Sequence, residues 1–251
     1  MARGRLHRLG QHFTACRRLV EDVARRVRGR RRVLEVGVGC GALSRRVAGG
    51  VCMLVGVEVD ELLAPCLRAL QDATLGDYVV ADALHPPVRL EAFDAIYGSI
   101  PYSITGPLLI LLARRARGDA VLVLQREVAE RLAARPGSRE YGRITVAVRS
   151  VYSVSLGPLY PPSCFKPRPK VSSRLVELRR ERILEEGFFD CLEELLRCMF
   201  SQRRRLADRV AEKCLGQPHH TRFNGRRVYQ LEVGEFLELA GKVCREAGVQ
   251  V

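Results

Sequence analysis

The chain has 251 residues, 47% of them hydrophobic and 28% charged, which is ordinary for a globular protein with one larger and one smaller domain. No apolar run approaches the length of a membrane span, which excludes a membrane-embedded protein. The formal net charge is +14 and the isoelectric point is about 9.9, which indicates a polyanionic partner.

The nine cysteines do not point to a metal site. No Cys-x-x-Cys pair occurs, and no cluster of cysteine and histidine has the spacing of a zinc site. The odd number argues against a complete disulfide framework, and we expect most cysteines to be buried thiols in a reducing cytosol. Asn224 is the only asparagine, which fits a thermophile, where intracellular disulfides do occur.

Apolar runs alternate with helical patterns over the first half of the chain. The pattern predicts strands at 32–37, 52–57, 77–81, 93–98 and 120–125. Helices are predicted at 16–28, 42–48, 61–70, 105–115 and 126–134. This alternation is typical of an α/β domain with a parallel sheet and helices on both faces.

The second half of the chain is less regular. Residues 143–152 are ambiguous between strand and helix, and runs at 152–157 and 173–179 are candidates for further strands. Beyond Arg182 apolar residues recur at helical spacing over 188–200, 204–215 and 233–247, whereas 216–228 is loop-like. We therefore expect a small helical domain at the end of the chain.

The first predicted strand runs into a glycine-rich turn at Gly37, Gly39 and Gly41. Glycines at a strand-to-helix turn let the backbone pass close to a ligand. No Gly-Lys-Ser/Thr follows, which argues against a triphosphate-binding loop, and the third glycine comes one residue too early for a dinucleotide-binding turn. A tight turn without a ligand is the structural alternative at this point.

Carboxylates end the next two predicted strands. Glu58 stands where an acid can accept hydrogen bonds from both ribose hydroxyls. Asp82 can accept from the adenine amino group of the same ligand. A carboxylate at Glu58 would repel a pyrophosphate but suits a nucleoside that has a sulfonium instead. Together with the glycine turn, these acids indicate S-adenosylmethionine.

Ser99, Pro101 and Tyr102 follow the fourth predicted strand. The Ser99 hydroxyl and the carbonyls near Pro101 can accept hydrogen bonds from an exocyclic amino group, and Tyr102 offers a stacking face. This arrangement suits methylation of the amino group of adenine, whose base must leave its stack to reach such a pocket. A strand followed by a proline turn is the plain alternative, and the three upstream motifs favour the catalytic interpretation.

Over nearly its whole length the chain resembles the ribosomal RNA adenine N6,N6-dimethyltransferases, in an archaeal or thermophilic form. The segments that show the resemblance, besides the strand-end motifs, are Leu9–Phe13, Leu124–Leu132, Pro136–Ser138, Tyr141–Arg143, Pro161–Ser173 and Phe200–Arg205. The last two are the most specific. One departure is that Ser99 stands where the family has the Asn of an Asn-x-Pro-Tyr motif.

The resemblance implies a class I S-adenosylmethionine-dependent methyltransferase (Rossmann-like) domain over 1–181 and a small helical RNA-binding domain over 182–251. It implies methyl transfer to N6 of two adjacent adenines in the 3′-terminal hairpin loop of small-subunit ribosomal RNA, during ribosome biogenesis. The expected partner is therefore this RNA or the pre-ribosomal small subunit. We expect a cytoplasmic monomer with no membrane partner and no metal.

The resemblance and the strand-end reasoning together assign site residues. The predicted cofactor-binding residues are Gln11, His12, Thr14, Gly37, Gly39, Gly41, Glu58, Asp82 and Ser99. The predicted catalytic residues are Ser99, Pro101, Tyr102 and Phe165, with the target base between Tyr102 and Phe165. The predicted RNA-binding residues are Arg203, Arg204 and Arg205, whose planar forks suit phosphates. No general base is required, because hydrogen bonds to the amino group turn its lone pair toward the sulfonium methyl.

Two alternatives remain open at this stage. The first is an RNA-binding ribosome-assembly factor with weak or lapsed methylation, because Ser99 replaces the motif Asn. The retained Glu58, Asp82, Tyr102 and Phe165 oppose it. The second is a DNA N6-adenine methyltransferase, since some such enzymes have Ser before Pro-Pro-Tyr. The helical domain and the Phe-Ser-Gln-Arg-Arg run favour RNA.

Overall fold

The computed structural model describes residues 11–216 and 223–246, so that Leu9 and Gly10 of the first motif lie outside the described residues. The chain divides into two compact units, Met1–Ala129 with Val154–Arg179, and Glu130–Ser153 with Arg180–Val251. The division at 181/182 stays a prediction; the two units differ from it in placing Glu130–Ser153 with the C-terminal helices. None of the helices in the described residues is long and apolar enough to cross a membrane.

The strands and helices follow the predicted alternation. The strands are β1 (Phe13–Thr14), β2 (Arg32–Val36), β3 (Met53–Glu58), β4 (Gly76–Val80), β5 (Ala95–Ser99), β6 (Asp119–Gln125), β7 (Tyr152–Tyr160), β8 (Phe165–Lys166) and β9 (Ser173–Arg180). The helices are α1 (Arg17–Val27), α2 (Ser44–Val47), α3 (Ala64–Ala73), α4 (Thr105–Arg115), α5 (Arg126–Leu132), α6 (Arg143–Arg149), α7 (Glu186–Ser201), α8 (Ala207–Leu215) and α9 (Val233–Glu246). The five predicted strands of the first half and the helices between them are confirmed, with ends shifted by a few residues.

Seven strands form one sheet in the order β4-β3-β2-β5-β6-β9-β7. Strands β4, β3, β2, β5 and β6 are parallel, and β9 joins β6 in antiparallel orientation. The two short strands β1 and β8 form a separate antiparallel pair in which Thr14 lies opposite Phe165. The doubly wound α/β fold is thus confirmed, and the carboxyl ends of β2, β3, β4 and β5 meet at one edge of the sheet.

Burial explains why these segments take their places. The interior strand β6 is buried from Ala120 to Leu124 without alternation, as expected for a strand covered on both faces. In α1 the apolar positions Leu19, Val23 and Val27 recur every four residues and are fully buried in the core. Each such side chain contributes about 1.5–3 kcal/mol on burial, so the helix is held by its inner face rather than by its arginine-rich outer face.

The second unit is helical, and it resolves the ambiguous segment 143–152. Its β-branched residues form α6 because the tertiary setting overrides their strand propensity. Thr145 stabilises the start of α6: its hydroxyl accepts from the Gly142 N–H at 3.1 Å and donates to the Arg131 carbonyl at 2.8 Å. The next three residues, from Val146 to Val148, are fully buried.

Three disulfides join helices and turns that are distant in the sequence. They are Cys40–Cys66, Cys191–Cys244 and Cys198–Cys214, whereas Cys16, Cys52 and Cys164 are thiols. The expectation that most cysteines are reduced is therefore wrong for six of the nine. Disulfide pairing depends on how helices pack, which spacing along a sequence does not reveal.

The two disulfides of the second unit should make its stability sensitive to reductant. Each stabilises a folded domain by about 2–4 kcal/mol, mainly by restricting the unfolded chain. We expect Cys191→Ser with Cys198→Ser, which removes both, to lower Tm by roughly 10–30 °C, since about 1 kcal/mol shifts Tm by 2–4 °C at this size. Thermal melts with and without reductant measure this. The control is Cys16→Ser with Cys52→Ser, and equal melting of the two variants would contradict the prediction.

Candidate cofactor and target-base site

A cavity of about 470 Å³ opens at the carboxyl ends of the parallel strands. Nine of the predicted site residues line it: Gln11, His12, Thr14, Gly37, Gly39, Glu58, Asp82, Ser99 and Pro101. Its size lies within the range of small-molecule and cofactor sites. The strand-end motifs, which are far apart in the sequence, therefore meet around one space.

The glycine-rich turn has a backbone that only glycine adopts without strain. Gly37, Gly39 and Gly41 have φ values of +75°, +59° and +82°. A Cβ at Gly39 would approach the Phe13 ring to 3.0 Å, so the turn and the segment before α1 are in close contact. Gly41 was predicted to bind the cofactor, but it does not line the cavity. A Cβ on Gly41 would lie 2.6 Å from the Leu70 side chain, so this glycine allows α3 to pack against the turn.

Glu58 is 5% exposed and holds the backbone around the cavity. Its Oε2 accepts from the Gly39 N–H at 2.8 Å, and its Oε1 accepts from the Asp60 N–H at 3.0 Å. Each carboxylate oxygen has two lone pairs, so one on each remains for a ligand hydroxyl. Asp60, which the sequence did not single out, is equally buried and accepts from Gln11 Nε2 at 3.3 Å. The sequence feature that could have indicated Asp60 was its position two residues after Glu58.

Two buried acceptors in the cavity wall have no hydrogen-bond partner in the described residues. They are Gln11 Oε1 and Glu35 Oε1. An unmet buried acceptor costs about 1–3 kcal/mol, so this wall suits a ligand that has N–H donors. S-adenosylmethionine has an ammonium group, and the cavity residues therefore fit it.

Glu35 was not predicted as a site residue, although an acid inside the apolar run of β2 was the signal. It is fully buried, and its Oε2 accepts from Ser44 Oγ at 2.5 Å and from the Tyr97 hydroxyl at 2.7 Å. Burial raises the pKa of the Glu35 carboxyl to about 7, while those two hydrogen bonds act in the opposite direction. Burial therefore disfavours the charged form of this carboxyl.

Asp82 lies at the rim, with its side chain 47% exposed. Its Oδ1 accepts from the Leu84 N–H at 2.9 Å, and its Oδ2 lies 3.2 Å from His85 Nδ1. The Leu84 hydrogen bond, aided by His85, lowers the pKa of the Asp82 carboxyl. A charged acceptor at this edge matches the predicted contact with an adenine amino group.

Ser99 ends β5 directly beside the glycine turn. A Cβ at Gly37 would lie 3.5 Å from the Ser99 carbonyl oxygen. The Pro101 carbonyl accepts from the Ile104 N–H at 3.2 Å and from the Thr105 hydroxyl at 3.1 Å, which occupies both of its lone pairs. Among the carbonyls near Pro101 that were predicted as acceptors, the Pro101 carbonyl itself is therefore occupied within the protein.

The aromatic residues are arranged differently from the prediction. The Tyr102 ring lies 5.3 Å from the His12 ring, tilted by 42°, and His12 Nδ1 is 2.7 Å from the Pro167 carbonyl. Phe165 is 2% exposed, belongs to the core and does not line the cavity. Side chains alternate along a strand, so that in β8 Phe165 faces inward while Lys166 faces out. The Tyr102–Phe165 sandwich stays a prediction that this arrangement does not display.

The three predicted RNA-binding arginines have two different settings. Arg203 donates to the carbonyls of Ser138 and Arg139 at 3.3 and 3.0 Å and lies over the Tyr229 ring at 5.4 Å. It therefore holds a loop of the second unit. Arg204 and Arg205 instead line a recess of about 450 Å³ together with Arg209, Lys213 and Arg227.

Known proteins match the chain over nearly its full length. The family described as "Ribosomal RNA adenine dimethylase" matches residues 6–240. A protein of Pyrobaculum aerophilum named "Probable ribosomal RNA small subunit methyltransferase A" is 39% identical, over 92% of this chain and 96% of that protein. A protein of the same name from Methanothermobacter thermautotrophicus is 31% identical, over 92% of this chain and 88% of its own length.

Solved structures show the same fold. A dimethyladenosine transferase from Plasmodium falciparum superposes with a TM-score of 0.77 at 24% identity, over 95% of this chain and 99% of its own. The 23S rRNA methyltransferase ErmE superposes with a TM-score of 0.66 at 25% identity, over 92% of this chain and 99% of its own.

Proposed function

Because the chain belongs to the ribosomal RNA adenine dimethylase family, we propose that it methylates N6 of two adjacent adenines in the 3′-terminal hairpin loop of small-subunit ribosomal RNA. Membership makes the protein an S-adenosylmethionine-dependent ribosomal RNA adenine dimethyltransferase. The names of its relatives support the small subunit rather than the 23S RNA of ErmE. A role in ribosome biogenesis, a cytoplasmic location and a monomeric state belong to the same proposal.

The observation that supports this function best is the contact between the glycine turn and the end of β5. The Ser99 carbonyl lies 3.5 Å from the position of a Cβ on Gly37, so a cofactor above the turn and a base at Ser99 would be neighbours. Transfer in a single displacement needs the acceptor and the methyl group to be close and in line.

In the mechanism we propose, the residues of this chain bind and orient. The cofactor supplies an electrophilic methyl group on its sulfonium. Glu58 would hold the ribose hydroxyls, and Asp82 the adenine of the cofactor. Ser99 Oγ would accept one hydrogen of the target amino group, which turns the nitrogen lone pair toward the methyl, while Tyr102 stacks on the base. The proton leaves after transfer, when the nitrogen is cationic.

Mass spectrometry of small-subunit RNA, after incubation with the protein and labelled S-adenosylmethionine, tests the proposal. We expect N6,N6-dimethyladenine at two adjacent positions near the 3′ end. Large-subunit RNA and duplex DNA are the parallel substrates. Label confined to either of them would overturn the proposed substrate. RNA binding without any label would favour the lapsed assembly factor suggested by Ser99.

We expect the basic recess of the second unit, rather than Arg203, to contact RNA phosphates. Arg204→Ala with Arg205→Ala should reduce the slope of log K against log salt by roughly 1.5, since each lost phosphate contact removes about 0.7–0.9. Arg203→Ala, which removes the contacts to Ser138 and Arg139, should instead lower Tm. Salt titrations and melts of both variants measure this. A Tm loss for the double variant with an unchanged slope would place the RNA surface elsewhere.

A further inference from the structure

A second basic concavity lies on the first unit, away from the cofactor cavity. It is a recess of about 390 Å³ between the end of α1 and the turn that follows α2. We call it the arginine recess, and define it by Arg25, Arg28, Arg45 and Arg46, with Glu21 beside them and Gly49–Gly50 in its wall. None of the segments named above for the family resemblance, and none of the strand-end motifs, includes these residues.

The arginine recess lies at the edge of the sheet opposite the cavity. Arg28 precedes β2 and Gly50 precedes β3, and the N–H of Gly29 donates to the Gly50 carbonyl at 2.9 Å. Both strands therefore enter the sheet here and end at the cavity. Because β2 has 5 residues, at about 3.3 Å each, the two edges are separated by roughly 16 Å. The recess cannot touch a base that is being methylated.

The charge of the arginine recess is only partly compensated. Arg46 pairs with Glu21 at 2.8 Å, and this hydrogen bond lowers the pKa of the Glu21 carboxyl and raises that of the Arg46 guanidinium. Arg25 is 74% exposed and lies 3.7 Å from Asp22, whose carboxylate also accepts from the Tyr160 hydroxyl. Within the described residues no ion pair joins Arg28 or Arg45 to an acid. A surplus of positive charge therefore faces solvent.

The arginines of the recess stand at the C-terminal ends of two helices. Cations in the last turn of a helix are favoured by the helix dipole, which explains Arg25 and Arg26 in α1. Arg28 is the C-cap residue of α1, and Arg45 and Arg46 stand in the last turn of α2, so the ends of two helices bring four arginines to one recess. The aliphatic stem of Arg28 packs against Gly50: its Cγ lies 3.4 Å from the position that a Cβ on Gly50 would take. The aliphatic stem of Arg28 therefore lies against the wall of the recess.

The wall of the recess is open to a large partner. A Cβ at Gly49 would have no atom within 4 Å, so the backbone there lies at the surface. An arginine guanidinium can donate two parallel hydrogen bonds to the oxygens of one phosphate. A concave cluster of arginines therefore suits a polyanionic backbone better than a single small anion. The recess offers no flat apolar or aromatic face for reading bases.

We propose that the arginine recess binds the phosphate backbone of ribosomal RNA at a segment outside the target hairpin. The inference rests on the proposed function, because it takes the RNA from there. A contact about 16 Å from the cavity extends the footprint of the protein beyond the methylated loop. It would favour complete small-subunit RNA over the isolated hairpin without altering the chemistry at Ser99.

Charge-matched double variants test the proposal. Arg28→Ala with Arg45→Ala empties the recess of its two unpaired cations. Arg68→Ala with Arg89→Ala removes two exposed arginines of the same unit that lie elsewhere, and is the control. Binding to full-length small-subunit RNA and to its isolated 3′-terminal hairpin is measured across a salt series. Arg28→Lys with Arg45→Lys keeps the charge and separates it from packing.

On full-length RNA the recess variant should lose roughly 1.5 from the salt slope and roughly tenfold in affinity near 0.1 M salt, and the lysine variant should recover most of both. On the hairpin all variants should bind like wild type. Equal behaviour of the recess and control variants on full-length RNA would overturn the proposal, and so would an equal loss on the hairpin. If wild type binds but methylates neither RNA, the proposed function is wrong. The salt slopes of RNA binding still test whether the arginine recess contacts RNA.

Discussion

Replacing Glu58 with Ala should weaken the binding of S-adenosylmethionine by roughly tenfold to a hundredfold. Hydrogen bonds to a charged group contribute about 1.5–3 kcal/mol, and this carboxylate is placed to accept from the ribose hydroxyls. The same change also removes the acceptor of the Gly39 and Asp60 N–H groups, which hold the turn in shape. Both effects weaken binding. Isothermal titration calorimetry on the folded variant measures the loss.

A cofactor analogue without the 2′-hydroxyl separates the two effects. If Glu58 binds the ribose directly, wild type should lose affinity for the analogue, and Glu58→Ala should bind both ligands equally. This is the logic of a double-mutant cycle. Glu61→Ala, at an exposed neighbouring acid, is the control. An unchanged affinity in folded Glu58→Ala would end the assignment.

The position of the cofactor cavity could be predicted because of one geometric rule. The carboxyl ends of parallel strands meet at one edge of a sheet, so residues that end successive strands must converge. Gly37, Glu58, Asp82 and Ser99 are such residues, and all four line the cavity. Glu35 and Asp60 were not predicted because their roles depend on burial and on hydrogen-bond partners: the position of Glu35 in an apolar strand, and of Asp60 two residues after Glu58, does not reveal which groups each acid contacts.

The details that could not be predicted depend on which way a side chain points. An aromatic residue in a proline-rich segment gives the same pattern whether it faces the core, as Phe165 does, or a pocket. Arg203 and Arg204 are neighbours in the sequence, yet one holds a backbone loop and the other lines a basic recess. The pairing of Cys191 with Cys244 likewise follows from helix packing across 53 residues. Each depends on tertiary contacts rather than on local pattern.

Ser99 should support the first methylation better than the second. Its hydroxyl is an acceptor that can hold one amino hydrogen, but it is shorter than the Asn of the family. Among the backbone carbonyls expected as further acceptors, the Pro101 carbonyl is occupied by Ile104 and Thr105. After the first transfer one N–H remains, and the new methyl group must rotate out of the way. The contact with Ser99 then matters most.

A displacement of about 1 Å can cost roughly a hundredfold in rate, so a loosely held monomethylated base should react slowly. We therefore expect N6-monomethyladenine to accumulate early in the reaction of the wild type, and this lag to shorten in Ser99→Asn. Time courses of mono- and dimethyladenine by mass spectrometry measure it, with Ser155→Asn at an exposed position of β7 as the matched control. The prediction is wrong if wild type shows no monomethyl phase and Ser99→Asn behaves like the control. In that case the shorter side chain holds the target nitrogen as firmly as the Asn would, and positioning at residue 99 does not limit the second transfer.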